Sequence, residues 1–331
     1  MQSNTKRALI FGIGGQDGAY LARLLIARGY DVHGTSRSAS YGHNLRRIGV
    51  AERLTFHRVD VTDASGVRQL IDAVRPGEIY YLAGQSSVAE SFAQPVEAFM
   101  SNATGVLNVL EALRLIKHPA RFFNASSSES FGDVSEPATE ESALAPCSPY
   151  GVAKAASALL VKTYRRSFGL FACSGIMFNH ESPLRPGNFV SQKIIRDVIE
   201  IARKRKHELI LAETAMVRDW GWAPDFVECM WMMLQQDHPE DYIIATGIGV
   251  SLAAFAGRAF RYFDLDSKAF ITIDPSRARP TDIAMSVGNP AKAMRQIGWK
   301  ATTVMPQLVD TLIEAALKEA DDKRSDALGR A

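Results

Sequence analysis

Tyr150 and Lys154 stand four residues apart in Ser148-Pro-Tyr-Gly-Val-Ala-Lys154, a spacing that puts both side chains on one face of a helix. Pro149 suits the first turn of that helix, where a missing N–H costs nothing. An ammonium beside a phenol favours the phenolate. A phenol tuned toward neutrality can take a proton from an alcohol while a cofactor takes the hydride. Upstream lies Asn124-Ala-Ser-Ser-Ser-Glu129. Ser127 and Glu129 share a side if the chain is still extended there. A hydroxyl at 127 can hydrogen-bond the oxygen that Tyr150 deprotonates. A carboxylate at 129 can remove a proton next to a newly formed carbonyl. Read plainly, Tyr150 and Lys154 are a surface pair and the serines a turn or N-cap; that reading leaves the glutamate unexplained.

Such chemistry needs a bound hydride carrier, and Gly12-Ile-Gly-Gly-Gln-Asp-Gly18 offers a place for one. Gly12, Gly15 and Gly18, with Gln16 and Asp17, fall between a strand and a helix. There glycine lets the backbone approach a pyrophosphate and the helix N-terminus supplies free N–H groups. An acidic residue after the second strand would bind a ribose 2′-hydroxyl. This chain has Thr35-Ser-Arg-Ser38 instead, and Arg37 suits a 2′-phosphate, so NADP is expected over NAD. Asp60, with Val61 beside it, follows the third strand and is placed either to meet the adenine or to serve as a turn. Leu82, Ala83, Gln85 and Ser86 follow the fourth, at the sheet edge that such cofactors cross.

The elements that must hold these residues alternate. Arg7–Phe11, Tyr30–Gly34, a third run beginning at Leu54, Glu78–Leu82, Arg121–Ala125 and Leu170–Phe178 read as strands. Leu21, Leu24 and Leu25, then Val67, Leu70, Ile71 and Val74, then Val106, Val109, Leu110 and Leu113 mark helices between them, with Thr62 or Asp63 as an N-cap. This order predicts an α/β fold, a Rossmann-type doubly wound parallel sheet. Residues 1–178 are expected to form the nucleotide domain, rejoined by about 222–245. Residues 179–331 are expected to be mainly a smaller α/β substrate-binding domain. Ile194, Ile195, Val198 and Ile201 mark one of its helices, and Arg203-Lys-Arg-Lys206 reads as its solvated end. The charged tail beyond Lys318 is expected to fray.

Composition narrows the function. A net charge of +2 over 331 residues argues against a nucleic-acid binder. Cys147, Cys173 and Cys229 lie far apart, with no spacing for zinc or a disulfide framework. No apolar run reaches the roughly eighteen residues that span a bilayer, and the N-terminus moves straight into a strand. The expected setting is cytoplasmic, with no membrane and no nucleic acid.

The chain resembles the extended short-chain dehydrogenase/reductase superfamily and, within it, the GDP-mannose 4,6-dehydratases, over about residues 6 to 315. Besides the glycine turn and the Tyr150 segment, the likeness is carried by Phe178-Asn-His-Glu-Ser-Pro183 and Arg218-Asp-Trp-Gly221. Trp231–Gln236, Ile244–Gly247 and Gly288–Lys292 continue it. The resemblance implies a 4,6-dehydratase acting on GDP-mannose or a related nucleotide sugar. NADP⁺ takes hydride from C4 while Tyr150 accepts the 4-hydroxyl proton. Glu129 removes the C5 proton and delivers one to the departing 6-hydroxyl, water leaves, the hydride returns to C6, and a proton completes C5. It implies that Lys154 holds the nicotinamide ribose and tunes Tyr150, and that His180 and Arg185 touch the cofactor. Asn179, Lys193, Arg218, Arg279 and Asp282 match substrate-side positions, alongside Ser86, Ser127 and Glu129. A homodimer or homotetramer is implied, since the helix carrying the Tyr–Lys pair commonly packs against its counterpart.

The chain departs from the family pattern at several positions. Ser127 stands where Thr is usual, Ser38 where a second arginine is usual, and Asp282 where Glu is usual. Gln192 replaces a common Arg, Val217 a frequent Lys, and the segment before Phe189 lacks an acidic residue. These changes leave room for another nucleotide sugar, such as a GDP-heptose. A nucleotide-sugar 4-epimerase or 4-ketoreductase would need Tyr150 and Lys154 but no carboxylate at 129. A nucleotide sensor on the same fold would need none of the reacting groups.

Overall fold

A computed structural model describes residues 6–38 and 42–328. In chain order the strands are β1 (Arg7–Phe11), β2 (Asp31–Ser36), β3 (Thr55–Arg58), β4 (Glu78–Tyr81), β5 (Arg121–Ser127), β6 (Ala172–Met177), β7 (Asn179–Glu181), β8 (Leu209–Leu211), β9 (Val217–Trp222), β10 (Tyr242–Ile244), β11 (Gly249–Ser251), β12 (Ile271–Ile273) and β13 (Met285–Ser286). Helices are named by their residues.

Seven parallel strands make one sheet in the order β10-β6-β5-β4-β1-β2-β3. Its central strands β1 and β4 are buried on both faces, while the edge strand β3 is partly exposed. In β1, Ala8 and Ile10 face one core and Leu9 and Phe11 the other, following the two-residue period of a strand. The first core packs the helices Gln16–Ala27 and Ala223–Met233, through residues such as Leu21, Leu25, Phe226 and Met230. The second packs Ala64–Val74 and Gly105–Ile116, through Val67, Ile71, Val109 and Leu113. The chain runs outward from β1 to β3 on one side and from β4 to β10 on the other. A ligand crevice forms where the order reverses, at the carboxyl ends of β1 and β4.

The rest of the chain builds a smaller layer over that edge. β7, β9, β11 and β13 form a second sheet, and β8 pairs with β12. Their core gathers Ile194 and Val198, Leu252 and Phe255, and Leu308 and Leu312. β7 and β9 run parallel, with Asn179 opposite Trp220 and His180 opposite Gly221.

Several boundaries differ from the sequence reading. β2 starts at Asp31 because the Tyr30 N–H donates back to the Leu25 carbonyl of the preceding helix at 3.0 Å, and pairing with β1 begins at Asp31. β5 runs on to Ser127, paired with β6 as far as Met177. Asp63, not Thr62, caps the third helix, accepting from the Ser65 N–H at 3.0 Å. The tail beyond Lys318 does not fray at once: the helix Gln307–Leu328 carries through it. Residues 1–5 and 329–331, where the other end readings fall, lie outside the described residues. No helix among the described residues is long and apolar enough to cross a membrane.

Candidate active site

β5 delivers Ser127 as its last residue, and a 3₁₀ turn, Ser128–Ser130, then carries Glu129. The extended segment expected through Glu129 therefore stops short of it. The turn is fixed locally, since the Ser127 hydroxyl accepts from the Glu129 N–H at 3.3 Å. The helix Pro149–Phe168 begins against this turn. Ser148 caps it by accepting from the Gly151 N–H at 3.0 Å, and Pro149 occupies its first turn. A Cβ at Gly151 would lie 2.5 Å from the Glu129 carbonyl oxygen, so glycine permits the close approach.

Ser127, Glu129, Tyr150 and Lys154 thereby come together. The Tyr150 phenol hydrogen-bonds Ser127 and feels the charge of Glu129. The Lys154 ammonium donates to the Ala125 carbonyl at 2.8 Å and lies 5.7 Å from the centre of the Tyr150 ring. Burial pushes Tyr150 up to about 12, with the Ser127 hydrogen bond acting against it. This corrects the expectation of a phenol tuned toward neutrality by its lysine. The same burial pushes Lys154 down to about 8, with Asp17 opposing. Burial raises Glu129 too, against the charges of Arg279 and Arg218. A carboxyl held above its ordinary range suits a group that must take a proton and give one back.

Cations close the other side. Arg218 on β9 is 4% exposed. It donates to Asp282 Oδ1 at 3.0 Å and to the Val217 carbonyl at 2.9 Å. Arg279 reaches the same carboxylate at 3.1 Å. Arg218 and Arg279 therefore meet at Asp282, and the charges of all three are felt by Glu129. Asn179 lies half-buried at the start of β7. Lys193 is engaged elsewhere, by Asp197 at 3.1 Å and by the Ile210 carbonyl at 2.7 Å. Lys206 reaches Asp197 as well, at 2.7 Å.

At the carboxyl end of β1, Gly15 caps the helix Gln16–Ala27 with no side chain on its first amides. A cleft of about 320 Å³ opens there, lined by Gly12, Gly14, Gly15, Ser36, Ser38, His43 and Asn44. Gly12 has φ +85° and a Cβ there would meet Ala83 N at 2.7 Å, while Gly18 packs on the Gly12 carbonyl. An uncapped helix N-terminus on a side-chain-free cradle suits a dinucleotide pyrophosphate. Leu82 extends the edge by donating its N–H to Phe11 O at 2.9 Å. Gln85 is partly buried and Ser86 exposed on the loop that follows. Arg37 is exposed and paired with Glu97 at 3.0 Å. Asp60 accepts from the Thr62 N–H and hydroxyl at 2.9 and 2.8 Å, a turn made by its own side chain. Val61 is buried, its carbonyl accepting from Asn108 at 2.9 Å.

Gln16 and Asp17 turn away from the cleft toward the segment after β6. Asp17 Oδ2 lies 2.9 Å from His180 Nε2. Gln16 donates to Asp17 Oδ1 and to the His180 carbonyl, both at 3.1 Å, and accepts from Ser182 at 2.7 Å. Arg185 donates to the same His180 carbonyl at 2.9 Å and pairs with Glu181 at 3.1 Å.

The sequence reading missed His43 and Asn44, which belong to no motif. It also missed Asn102, buried in a π-helical turn, Met100–Thr104, and donating to the Gln85 carbonyl at 2.9 Å. The one available signal for Asn102 is a polar residue at a core position of a helix.

Residues 9–312 match the family described as GDP-mannose 4,6 dehydratase. GDP-mannose 4,6 dehydratase 2 of Caenorhabditis elegans is 39% identical, covering 96% of this chain and 91% of that protein. The GDP-mannose 4,6-dehydratase of Vibrio cholerae is 37% identical, covering 95% of each. Among solved structures, a UDP-glucose 4-epimerase of Thermus thermophilus in complex with NAD superposes with a TM-score of 0.82 at 25% identity, covering 93% of this chain and 98% of that one. A dTDP-glucose 4,6-dehydratase of Bacillus anthracis, also in complex with NAD, gives 0.83 at 16% identity, over 96% and 98%.

Proposed function

This chain belongs to the GDP-mannose 4,6-dehydratase family, and from that premise we propose how its residues convert GDP-mannose to GDP-4-keto-6-deoxymannose. The reaction eliminates water, so the enzyme is a lyase. One observation carries the reading: Glu129 stands in the turn after Ser127, packed against the start of the helix that carries Tyr150, and feels the charges of Arg218 and Arg279. An epimerase would not need that carboxylate.

When bound, a nicotinamide nucleotide supplies one hydride carrier that serves both ends of the same substrate. Gly12, Gly15 and the first amides of the helix at Gln16 hold its pyrophosphate, and Leu82, Ala83, Gln85 and Ser86 line its path. Lys154 holds the nicotinamide ribose. Ser127 fixes the C4 oxygen, and Tyr150, once it has given up its own proton against the burial that holds it at about 12, takes the proton of that oxygen. Glu129 removes the proton from C5 and returns one to the departing 6-hydroxyl. Arg218 and Arg279, oriented by Asp282, bind the nucleotide diphosphate, with Asn179 beside them. Lys193 reaches the substrate only by leaving Asp197. We favour NADP over NAD because the cleft beyond Ser36 is lined by Ser38, His43 and Asn44 with no carboxylate. Arg37 would exchange Glu97 for a 2′-phosphate, a small loss for an exposed pair.

We divide the chain into a nucleotide part, residues 1–178 rejoined by about 222–245, and a sugar-nucleotide part from the remainder of 179–331. Val227 and Met230 share a core with Ala8 and Leu25, which supports the rejoining. We expect a dimer through the helix Pro149–Phe168 and its neighbour. Val152 and Leu159 on the first, and Val96 and Phe99 on the segment Pro95–Phe99, are large apolar side chains left exposed. Three free cysteines fit a cytoplasmic setting.

The test is incubation with a panel of nucleotide sugars, reading product mass for loss of water. GDP-mannose should lose water. Loss from another donor alone would keep the chemistry and overturn the substrate.

A further inference from the structure

Both ring nitrogens of His180 face oxygens, one of a backbone carbonyl and one of a carboxyl group. Nδ1 lies 2.7 Å from the Phe178 carbonyl and Nε2 lies 2.9 Å from the Asp17 carboxylate. A neutral imidazole carries one N–H and fits both oxygens only if Asp17 keeps its own proton; against an ionised Asp17 the ring must be an imidazolium. The arrangement is satisfied by an imidazolium. The ring is 7% exposed and stacked on Phe226 at 4.6 Å, so water cannot supply the missing partner. Asp17 is pinned on its other oxygen by Gln16. Gln16 in turn holds the His180 carbonyl and the Ser182 hydroxyl. This network joins the glycine turn to the strand that carries Asn179.

We propose that Asp17 and His180 form an ion pair that docks the sugar-side segment on the glycine turn. Through their side chains Asp17 and His180 thus act as positioning residues of the reaction. Lys154 is buried with one hydrogen bond, to a backbone carbonyl, and Asp17 is the charge that acts on it. Burial alone would make the Asp17 carboxyl and the His180 imidazole neutral. Each instead holds the other charged, Asp17 below and His180 above its ordinary range. The other charged and titratable groups around the pair are Arg185 and Glu181, which pair with each other, with Tyr20 and Tyr150, which both feel Asp17. The link to Lys154 and Tyr150 rests on the function proposed above; the pair itself does not.

The experiment uses the full-length holoenzyme labelled with ¹⁵N-histidine. His180→Gln identifies the His180 resonances, and Asp17→Asn removes the charge while keeping an acceptor. In the unsubstituted protein the His180 ring should stay protonated on both nitrogens from about pH 6 to about pH 8, across the ordinary imidazole range. In Asp17→Asn it should become a neutral tautomer over that range. The kcat of Asp17→Asn should fall by about tenfold, with the pH limb that reports Lys154 moved down by about one unit and KM for GDP-mannose little changed. A His180 ring that titrates ordinarily in the unsubstituted protein overturns the proposal. So does an Asp17→Asn ring that stays doubly protonated. Rescue of the pH limb by Asp17→Glu supports a charge effect, and a limb that Asp17→Asn does not move assigns the pair to docking alone and overturns its link to Lys154. If the ring behaves as stated while the unsubstituted enzyme does not dehydrate GDP-mannose, the function fails and the ion pair stands.

Discussion

Lys154 donates to the carbonyl of Ala125 at 2.8 Å, tying the middle of one helix to the strand that ends in Ser127. A charged ammonium in this buried position costs stability, and burial lowers its pKa to about 8. Unfolded, the lysine would keep its proton to about 10.4. Below about pH 8 both states hold the proton. Above it the folded state releases its proton first, so stability should rise with pH until the unfolded lysine also titrates. Lys154→Met should remove this rise. It should lower turnover more than about a hundredfold yet raise Tm near pH 7 by about 2 °C. Thermal melts across that range check the sign, and a lower Tm for the methionine variant would contradict it.

Asp282 carries the charges of two arginines, and one of them, Arg218, is almost fully buried. Asp282→Ala leaves that guanidinium without its carboxylate and should cost about 3 kcal/mol of stability. Asp282→Asn keeps a hydrogen bond and should cost less. Both should raise KM for the nucleotide sugar, because the arginines lose their orientation. Urea unfolding and steady-state kinetics separate the two effects.

His33 and His57 stack at the edge of the large sheet, with His33 Nδ1 and His57 Nε2 2.9 Å apart. Only one of these facing nitrogens can carry a proton without repulsion. Burial and the neighbouring His33 lower the pKa of His57. The unfolded chain therefore takes up this proton first as pH falls, and stability is lost below about pH 6.5, the ordinary imidazole value. His57→Gln should flatten the drop in Tm between pH 7.5 and 5.5. An equal drop in both proteins would count against the pair.

Much of the nucleotide half was legible in the sequence. Runs such as Ala8–Phe11 are apolar throughout because both faces are buried, and the glycine turn follows one directly. The reacting groups were legible as residue types, but not their electrostatics. Nothing in the spacing of Tyr150 and Lys154 says that burial outweighs their attraction. The pairing of Asp17 with His180 and of Arg218 with Asp282 joins residues far apart in the chain. The first contact arises when the second sheet settles over the large one, the second when β9 pairs with β13 within its own sheet. Lys193 matched a substrate-side position by likeness, yet folding sets it beside Asp197. Residues such as His43 and Asn44 line the cleft from a short helix whose composition carries no signature.

The central claim is that Glu129 works on the same bound sugar that Tyr150 oxidises, and Glu129→Gln tests it most directly. Mixed with GDP-mannose, this variant should show reduced-nicotinamide absorbance and retain its cofactor. Formation of the 4-keto-6-deoxy product should fall by more than about a hundredfold. Undiminished loss of water from the sugar would contradict the assignment, because the elimination would then proceed without the carboxylate on which it is built.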